Sequence, residues 1–270
     1  MPQPLHQGLS GELMDTVVRH FTLQGEWLLN QQPARALPDL NAMQQRLDLA
    51  AGGVRQALTA LLATLTPELP LLQAPAEVRR AAAPALEHYW LLDTIDGAVQ
   101  YLSGLPLWTL SLCLVSQGRP AWALIHEPAR GVLWQARAGQ GAWCDGRRLQ
   151  CQDRQPLALA VLGTSFPNYP PRPQAELDVF MTTLARAVPR VFAQRWMGPA
   201  SLSLAQLAAG QLDGYWELGG SCYDWMAGTL LAEEAGARLS DLSGPPLTWA
   251  STGILAASPA IYTELAAALA

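Results

Sequence analysis

The 270-residue chain has no lysine. Its 17 basic residues are all arginine, set against 22 acidic ones, and the net charge is −5. Charge is sparse altogether, at 14% of residues, and no basic run or aromatic–basic interleaving occurs. These absences argue against a nucleic-acid-binding surface. Cysteine is also scarce. Cys113, Cys144, Cys151 and Cys222 are scattered, with no C-x-x-C pair, so reduced thiols in a cytoplasmic protein are expected, not a disulfide framework or a zinc site. The histidines (His6, His20, His88, His126) form no H-E-x-x-H pair. Neither a G-x-S-x-G elbow nor a G-x-x-x-x-G-K-[ST] loop is present, which leaves serine-hydrolase and P-loop chemistry without support. No apolar run is long enough to span a bilayer, and the start of the chain lacks the basic and apolar regions of a secretion signal.

What the chain has in quantity is hydrophobic residues, half of the total, enough for one large domain or two tightly packed halves. Residues 13–29 put Leu13, Val17, Phe21 and Leu28 on one helical face. The same period runs from 40 to 65 through Met43, Leu47, Val54, Leu58 and Leu61, with Gly52 and Gly53 as a bend and Pro67 as the stop. Residues 70–72 form a short strand, and 73–85 are ambiguous. Segments 108–115, 121–126 and 132–136, with a hairpin over 139–146, predict an antiparallel meander. Beyond it, strands at 159–163, from 191 and at 212–217 alternate with helices at 175–187, 199–209, 224–235 and from Ser258 onward. The expected division is an α+β half, residues 1–155, and an α/β half, residues 156–270, packed as one unit. The prolines between 167 and 173 mark a seam.

The chain is organised around the segment 89–97. Tyr89, Trp90, Leu91 and Leu92 read as a short buried strand, followed by Asp93, Asp96 and then Gly97. Two carboxylates at the end of a buried strand repel and resist desolvation, and a hard divalent cation relieves both. Gly97 allows close backbone approach to an anion, and the next turn offers free N–H groups to a phosphate. Taken alone, D-x-x-D-G is more often a pair of solvated turn aspartates.

Five segments together resemble the inositol monophosphatase family. Trp90 to Gly97 is similar to its W-x-x-D-P-[IL]-D-G-T signature, and Gly104 to Leu114 to its G-x-P-x-x-x-V-S-I-A-L strand. Gly139-Gln140-Gly141-Ala142 resembles G-x-G-A. Leu207 to Glu217 resembles V-A-x-G-x-x-D-x-Y-x-E, and Cys222 to Gly228 with Glu233 to Gly236 resembles W-D-x-A-A-G…E-A-G-G. The resemblance implies an α/β fold of layered α-β-α-β-α type, a homodimer, and magnesium-dependent phosphomonoester chemistry. It implies metal residues at Asp93, Ile95, Asp96 and Asp224, the three carboxylates holding one magnesium ion. The N–H groups of Gly97 and Ala98 match the phosphate turn, while Ala200 and Glu217 match positions facing the rest of the substrate. On residue type alone, Asp224 is a helix N-cap and Glu217 a strand-end charge.

Three family positions are replaced. A metal-binding glutamate falls on Ala74, a water-positioning aspartate on or near Ala51, and the signature threonine on Ala98. Methyl groups neither bind magnesium nor accept a proton. Asp48, Glu77 and Glu87 are the neighbours that could substitute. The reading that follows is a protein binding magnesium and a small phosphorylated ligand or phosphate, with hydrolysis weak or lost, a possible pseudoenzyme. The alternatives are an active inositol, sugar or nucleotide phosphomonoesterase, and a non-catalytic dimeric scaffold.

Overall fold

Two amphipathic helices open the chain, each started by a side-chain cap. A computed structural model describes residues 9–34, 37–72, 83–167, 171–219 and 222–270. In α1 (Gly11–Gln31) the Ser10 hydroxyl accepts from the Leu13 amide, and in α2 (Leu40–Leu65) Asp39 accepts from the Ala42 amide. Gly52 and Gly53 do not interrupt α2. Gly53 is where the Trp27 ring of α1 lies against the helix; a Cβ there would come within 2.8 Å of it. Pro67 lies beyond the last turn, as expected.

The next elements are β1 (Leu71–Leu72), β2 (His88–Asp96), α3 (Ala98–Leu102), β3 (Thr109–Ser116), β4 (Arg119–Glu127), β5 (Val132–Arg137), β6 (Gly141–Cys144) and β7 (Arg147–Arg148). They form a seven-stranded sheet in sequence order, antiparallel except for the β1–β2 pair. The meander is thus as expected. β2 is longer than expected, however: it continues through both aspartates.

After these come β8 (Val161–Ser165), α4 (Gln174–Ala187), β9 (Ala193–Trp196), α5 (Ala200–Ala208), β10 (Gly214–Leu218), α6 (Cys222–Glu234), β11 (Arg238–Ser240), β12 (Gly253–Ala257) and α7 (Pro259–Leu269). The second sheet runs β11-β12-β10-β8-β9, with β8 parallel to both β9 and β10. β11 and β12 escaped the sequence reading. The prolines of 167–173 lie between β8 and α4, both in this second half of the layered structure, and not between the sheets.

Three buried clusters define the layers. One face of the first sheet (Trp90, Leu92, Leu112, Leu114) packs on α1 and α2 through Val17, Phe21, Val54 and Leu58. Its other face (Tyr89, Leu91, Cys113, Val115) packs on Leu204, Leu207, Trp225 and Met226 of α5 and α6. Those two helices meet the second sheet at Tyr215 and Ile254. That sheet's far face, with Trp216 and Leu255, is covered by Phe180 of α4 and Ile261 and Leu265 of α7. The order is α-β-α-β-α, and the sheet alternation with period two is what sends neighbouring residues to different layers.

One contact ties α1 to the first sheet. Gly25 sits so close to buried His126 of β4 that an added Cβ would fall 2.1 Å from His126 Nδ1. Alanine normally favours a helix over glycine by about 1 kcal/mol. Here Gly25→Ala is expected to destabilise by about 1–3 kcal/mol through overpacking, measured by urea unfolding. His126 Nδ1 has no hydrogen-bond partner among the described residues. Burial lowers its pKa from 6.5 to about 4, with Asp145 pulling weakly the other way. The fold therefore holds the neutral ring while the unfolded chain takes up a proton. Stability from this residue is complete above pH 6.5 and is lost as pH falls toward 4, by about 3 kcal/mol at most. Urea midpoints from pH 8 to 4 should fall less steeply in His126→Gln than in the parent.

Candidate functional site

Residues three apart on a regular strand point to opposite faces. In β2 they do not. Asp93 pairs with Ser111 and Asp96 with Thr109, so three steps on β2 answer two on β3. This is a β-bulge, one extra residue inserted between the aspartates. Thr109 and Ser111, two apart, share a face, and cross-strand partners lie on the same side. Both carboxylates therefore face α5 and α6, while the side chain of Ile95 turns into the α1–α2 core. The Ile95 amide donates to Asp93 Oδ1 at 3.3 Å. Its carbonyl is the only group it could offer a cation.

The facing elements are helix starts. Ser201, in the first turn of α5, donates both its amide (3.0 Å) and its hydroxyl (2.5 Å) to Asp96 Oδ2. Thr109 lies 2.6 Å from the Ser201 hydroxyl. Since that hydroxyl's hydrogen goes to the carboxylate, Thr109 is the donor to Ser201. Amides of a first helical turn have no intrahelical acceptor, and the helix dipole adds to the attraction. Asp224 lies in the first turn of α6, two residues after its first described residue, so it is within the helix and not its cap. Asp93, Asp96 and Asp224 are 8%, 7% and 6% exposed. They share the central layer, yet among the described residues no group of three or more His, Cys, Asp or Glu side chains is gathered closely enough to hold a metal ion. The expected convergence of three carboxylates on one point is therefore not closed. In chemistry the donor set fits one hard cation: oxygen ligands only, three negative charges, and low exposure.

Gly97 has φ +91°, and a Cβ there would meet Leu107 O at 3.0 Å and Trp108 Cα at 3.2 Å. Only glycine fits this turn. α3 starts immediately after it, with Tyr101 N–H bonding to Gly97 O. The amides of residues 98–100 thus precede the helix's own bonding.

Glu217 of β10 is 1% exposed and faces the central layer from the second sheet. Its Oε2 accepts from Tyr215 Oη and, at 3.3 Å, from Trp225 Nε1. Ser165 lies 3.1 Å from Tyr215 Oη. Burial raises the Glu217 pKa, against the lowering effect of these bonds. Ala200 begins α5 and is buried. Thr109, Ser201, Tyr215 and Trp225 were not singled out from the sequence. The available signals were the polar pair Thr109 and Ser111 at the start of a largely apolar strand and the tyrosine of the V-A-x-G-x-x-D-x-Y-x-E segment, which falls on Tyr215.

Of the substituted positions, Ala51 lies on α2 and Ala98 opens α3; Ala74 and Glu77 lie outside the described residues. Asp48, one of the neighbours expected to substitute, is exposed and accepts from Gln44 on its own helix at 2.9 Å. Glu87, also exposed, precedes β2. The nine residues of that strand, at ~3.3 Å each, hold it roughly 30 Å from Asp96.

The site is thus an acidic bulge facing two helix starts, next to a glycine turn, within a layered α-β-α-β-α fold. The family model described as inositol monophosphatase family matches residues 48–270, and the chain belongs to that family. It is 38% identical over 219 residues to the inositol-1-monophosphatase of Mycobacterium bovis, covering 77% of this chain and 72% of that one. With the inositol-1-monophosphatase of Mesorhizobium japonicum it shares 36% identity over 158 residues, spanning 58% of each, less than two thirds of that relative's length. The solved structure of SuhB from Mycobacterium tuberculosis is 28% identical, aligned over 97% of this chain and 96% of that one, with a TM-score of 0.78.

Ser201→Ala removes a charge-assisted bond from Asp96 and strands the Thr109 hydroxyl in the interior. A loss of about 1.5–3 kcal/mol in urea unfolding is expected. Ser201→Ala with Thr109→Val should lose less than the sum of the two single changes, because they belong to one hydrogen-bonded chain.

Proposed function

We propose that the protein binds one magnesium ion and a small phosphomonoester or inorganic phosphate, and hydrolyses the ester slowly or not at all. The observation that carries this is the coexistence of a buried acidic face with alanine at 51 and 98. Asp93, Asp96 and Asp224 would hold the ion, with the Ile95 carbonyl as the remaining protein ligand. When bound, magnesium supplies charge neutralisation for the phosphate and its leaving oxygen. The residues of the chain do the rest. Amides of Gly97 and Ala98 hold phosphate oxygens, while Ala200 and Glu217 border the organic part. Glu217 is already engaged by Tyr215 and Trp225, so its role is to fix the wall more than to reach outward.

Nothing at Ala98 or Ala51 can orient a water, and Asp48 points to solvent. Losing such a group typically lowers the rate about a hundred- to ten-thousand-fold. A homodimer in the cytoplasm completes the proposal, consistent with four free cysteines. The rival reading, a working magnesium-dependent phosphomonoesterase, draws on the likeness to the inositol-1-monophosphatases of Mycobacterium bovis and Mesorhizobium japonicum.

Phosphate release from inositol 1-phosphate, sugar phosphates and nucleoside monophosphates should run at least about a hundredfold below the ordinary enzyme range of 1–10³ s⁻¹. Millimolar magnesium should raise the melting temperature, and Asp224→Asn should abolish that rise. Ordinary turnover, lost in Asp93→Asn, would establish the active enzyme instead. An unmoved melting temperature would favour a scaffold without a ligand.

A further inference from the structure

Two links join the same pair of chain segments beside the candidate site. One segment runs from Asp96 through the Gly97 turn to Gln100 of α3. The other is the connector from the end of β9 into the first turn of α5, Met197 to Ser201. The first link is the pair of bonds from Ser201 to Asp96 described above. The second runs from Gln100 Nε2 to Gly198 O at 3.2 Å, between residues 98 apart in sequence. A carbonyl only accepts, so the nitrogen of the Gln100 amide, not its oxygen, must face Gly198. Residues 96–100 and 198–201 thus close into a ring with a link at each end. Between the two links lie Gly97 and Ala98 on one side, Pro199 and Ala200 on the other.

Each segment is also tied separately to the rest of the fold. α3 is held to α1: Gln32 Nε2 donates to Tyr101 O and Leu105 O, both at 3.1 Å, and Tyr101 Oη donates to Leu28 O at 3.3 Å. The connector is held to the second sheet and to its own helix. Met197 N–H donates to Thr164 O at 2.9 Å, and Pro199 O accepts from the amide and the hydroxyl of Ser203. Gly198, between these two, gives its carbonyl to Gln100. The side chain of Gln100 is therefore where a position set by α1 meets one set by the second sheet. The fit is close: a Cβ on Gly198 would lie 3.3 Å from Gln100 Nε2 and, among the described residues, would meet nothing else within 4 Å.

We infer that Gln100 is a positioning residue, which sets the gap between the phosphate turn and Ala200, one of the walls assigned to the organic part of the ligand. The inference rests on the phosphomonoester reading above and deepens it. Ser201 holds Asp96 whatever residue stands at 100, so the acidic face keeps its donors. What Gln100 adds is a second point of attachment, and two points fix an angle that one leaves free. A ligand confined to the turn, such as inorganic phosphate, is indifferent to that angle. A phosphomonoester spans both walls, and without the bond it has to restore the gap as it binds. The penalty is at most what the bond contributed. For a neutral, part-buried hydrogen bond that is about a three- to tenfold change in affinity.

The test is calorimetric titration of the full chain in millimolar magnesium with inorganic phosphate, inositol 1-phosphate and adenosine monophosphate, read as the ratio of ester to phosphate affinity. In the parent the ratio should exceed one for at least one ester. Gln100→Met keeps an unbranched side chain and a similar helix propensity but has no donor. It should lower that ratio about three- to tenfold, while phosphate affinity changes by less than about twofold. Gly198→Ala, whose methyl crowds the amide from the other side, should lower the ratio in the parent and have less effect when added to Gln100→Met. An equal loss for ester and phosphate makes Gln100 a structural support of α3 and overturns the inference. So does a ratio that neither variant moves, or a parent ratio of one for both esters; in each of these cases the phosphate reading stands. If neither phosphate nor ester binds the parent, the phosphomonoester reading itself falls and the inference falls with it. Should Gln100→Met fail to fold, as urea unfolding will show, Gly198→Ala carries the test with the same readings of the ratio.

Discussion

One extra residue in β2 decides where the chemistry of this protein can sit. With regular pairing, Asp96 would point into the apolar layer of α1 and α2, among Trp90, Leu92 and Phe21, where an ionised carboxylate has no compensation. The bulge rotates the strand by one position, brings Asp96 round to join Asp93, and turns Ile95 the other way into the core. A single register irregularity thus converts an impossible burial into an acidic surface opposite two helix starts.

That surface is held by the central layer. α5 supplies an amide and a hydroxyl to Asp96, and the Thr109 hydroxyl supports the latter. From the other sheet, Tyr215 and Trp225 hold Glu217. Asp96 and Glu217 are each stabilised by neutral donors that the fold brings to them. The same donors limit what Asp96 Oδ2 and Glu217 Oε2 can still do, because an oxygen already engaged by two N–H or O–H groups is a weaker ligand and a weaker base. Alanine at 51 and 98 is compatible in physical terms with a buried acidic wall, since Asp96 and Glu217 are held from inside the fold.

Much of this was legible in the residues. Val17, Phe21, Val54 and Leu58 fall at helical spacing because each helix buries a single face. Short apolar runs joined by tight turns mark the meander of β3 to β6, whose central strands are buried on both faces. The motif around Asp93, Asp96 and Gly97 marks the candidate site, and Gly97 is required by a turn no other residue fits. The bulge is not readable, because its cause lies in the pairing of two strands and not in either one. Ser201 looked like one more small residue in an alanine-rich helix. Asp48 was placed by helical spacing from Ala51, but three residues along an α-helix leave a net offset of about 60°, and at that offset Asp48 is exposed and bonded to Gln44 while Ala51 is half-buried. β11 and β12 are short and are separated by a proline- and glycine-containing loop, which hides their alternation.

The bond between Ser201 and Asp96 joins residues 105 apart in sequence. Ordering a loop of that length carries an entropic penalty that local contacts do not share, and it must be met before the bond returns anything. Residues of the meander are close neighbours in sequence, so the first sheet can form early while the acidic pair still faces water. Only when α5 and α6 slide between the two sheets does that pair acquire its donors. The acidic wall is consequently among the last parts of the molecule to exist during synthesis, and a ribosome-bound chain halted before α5 would carry the aspartates without the pocket they belong to.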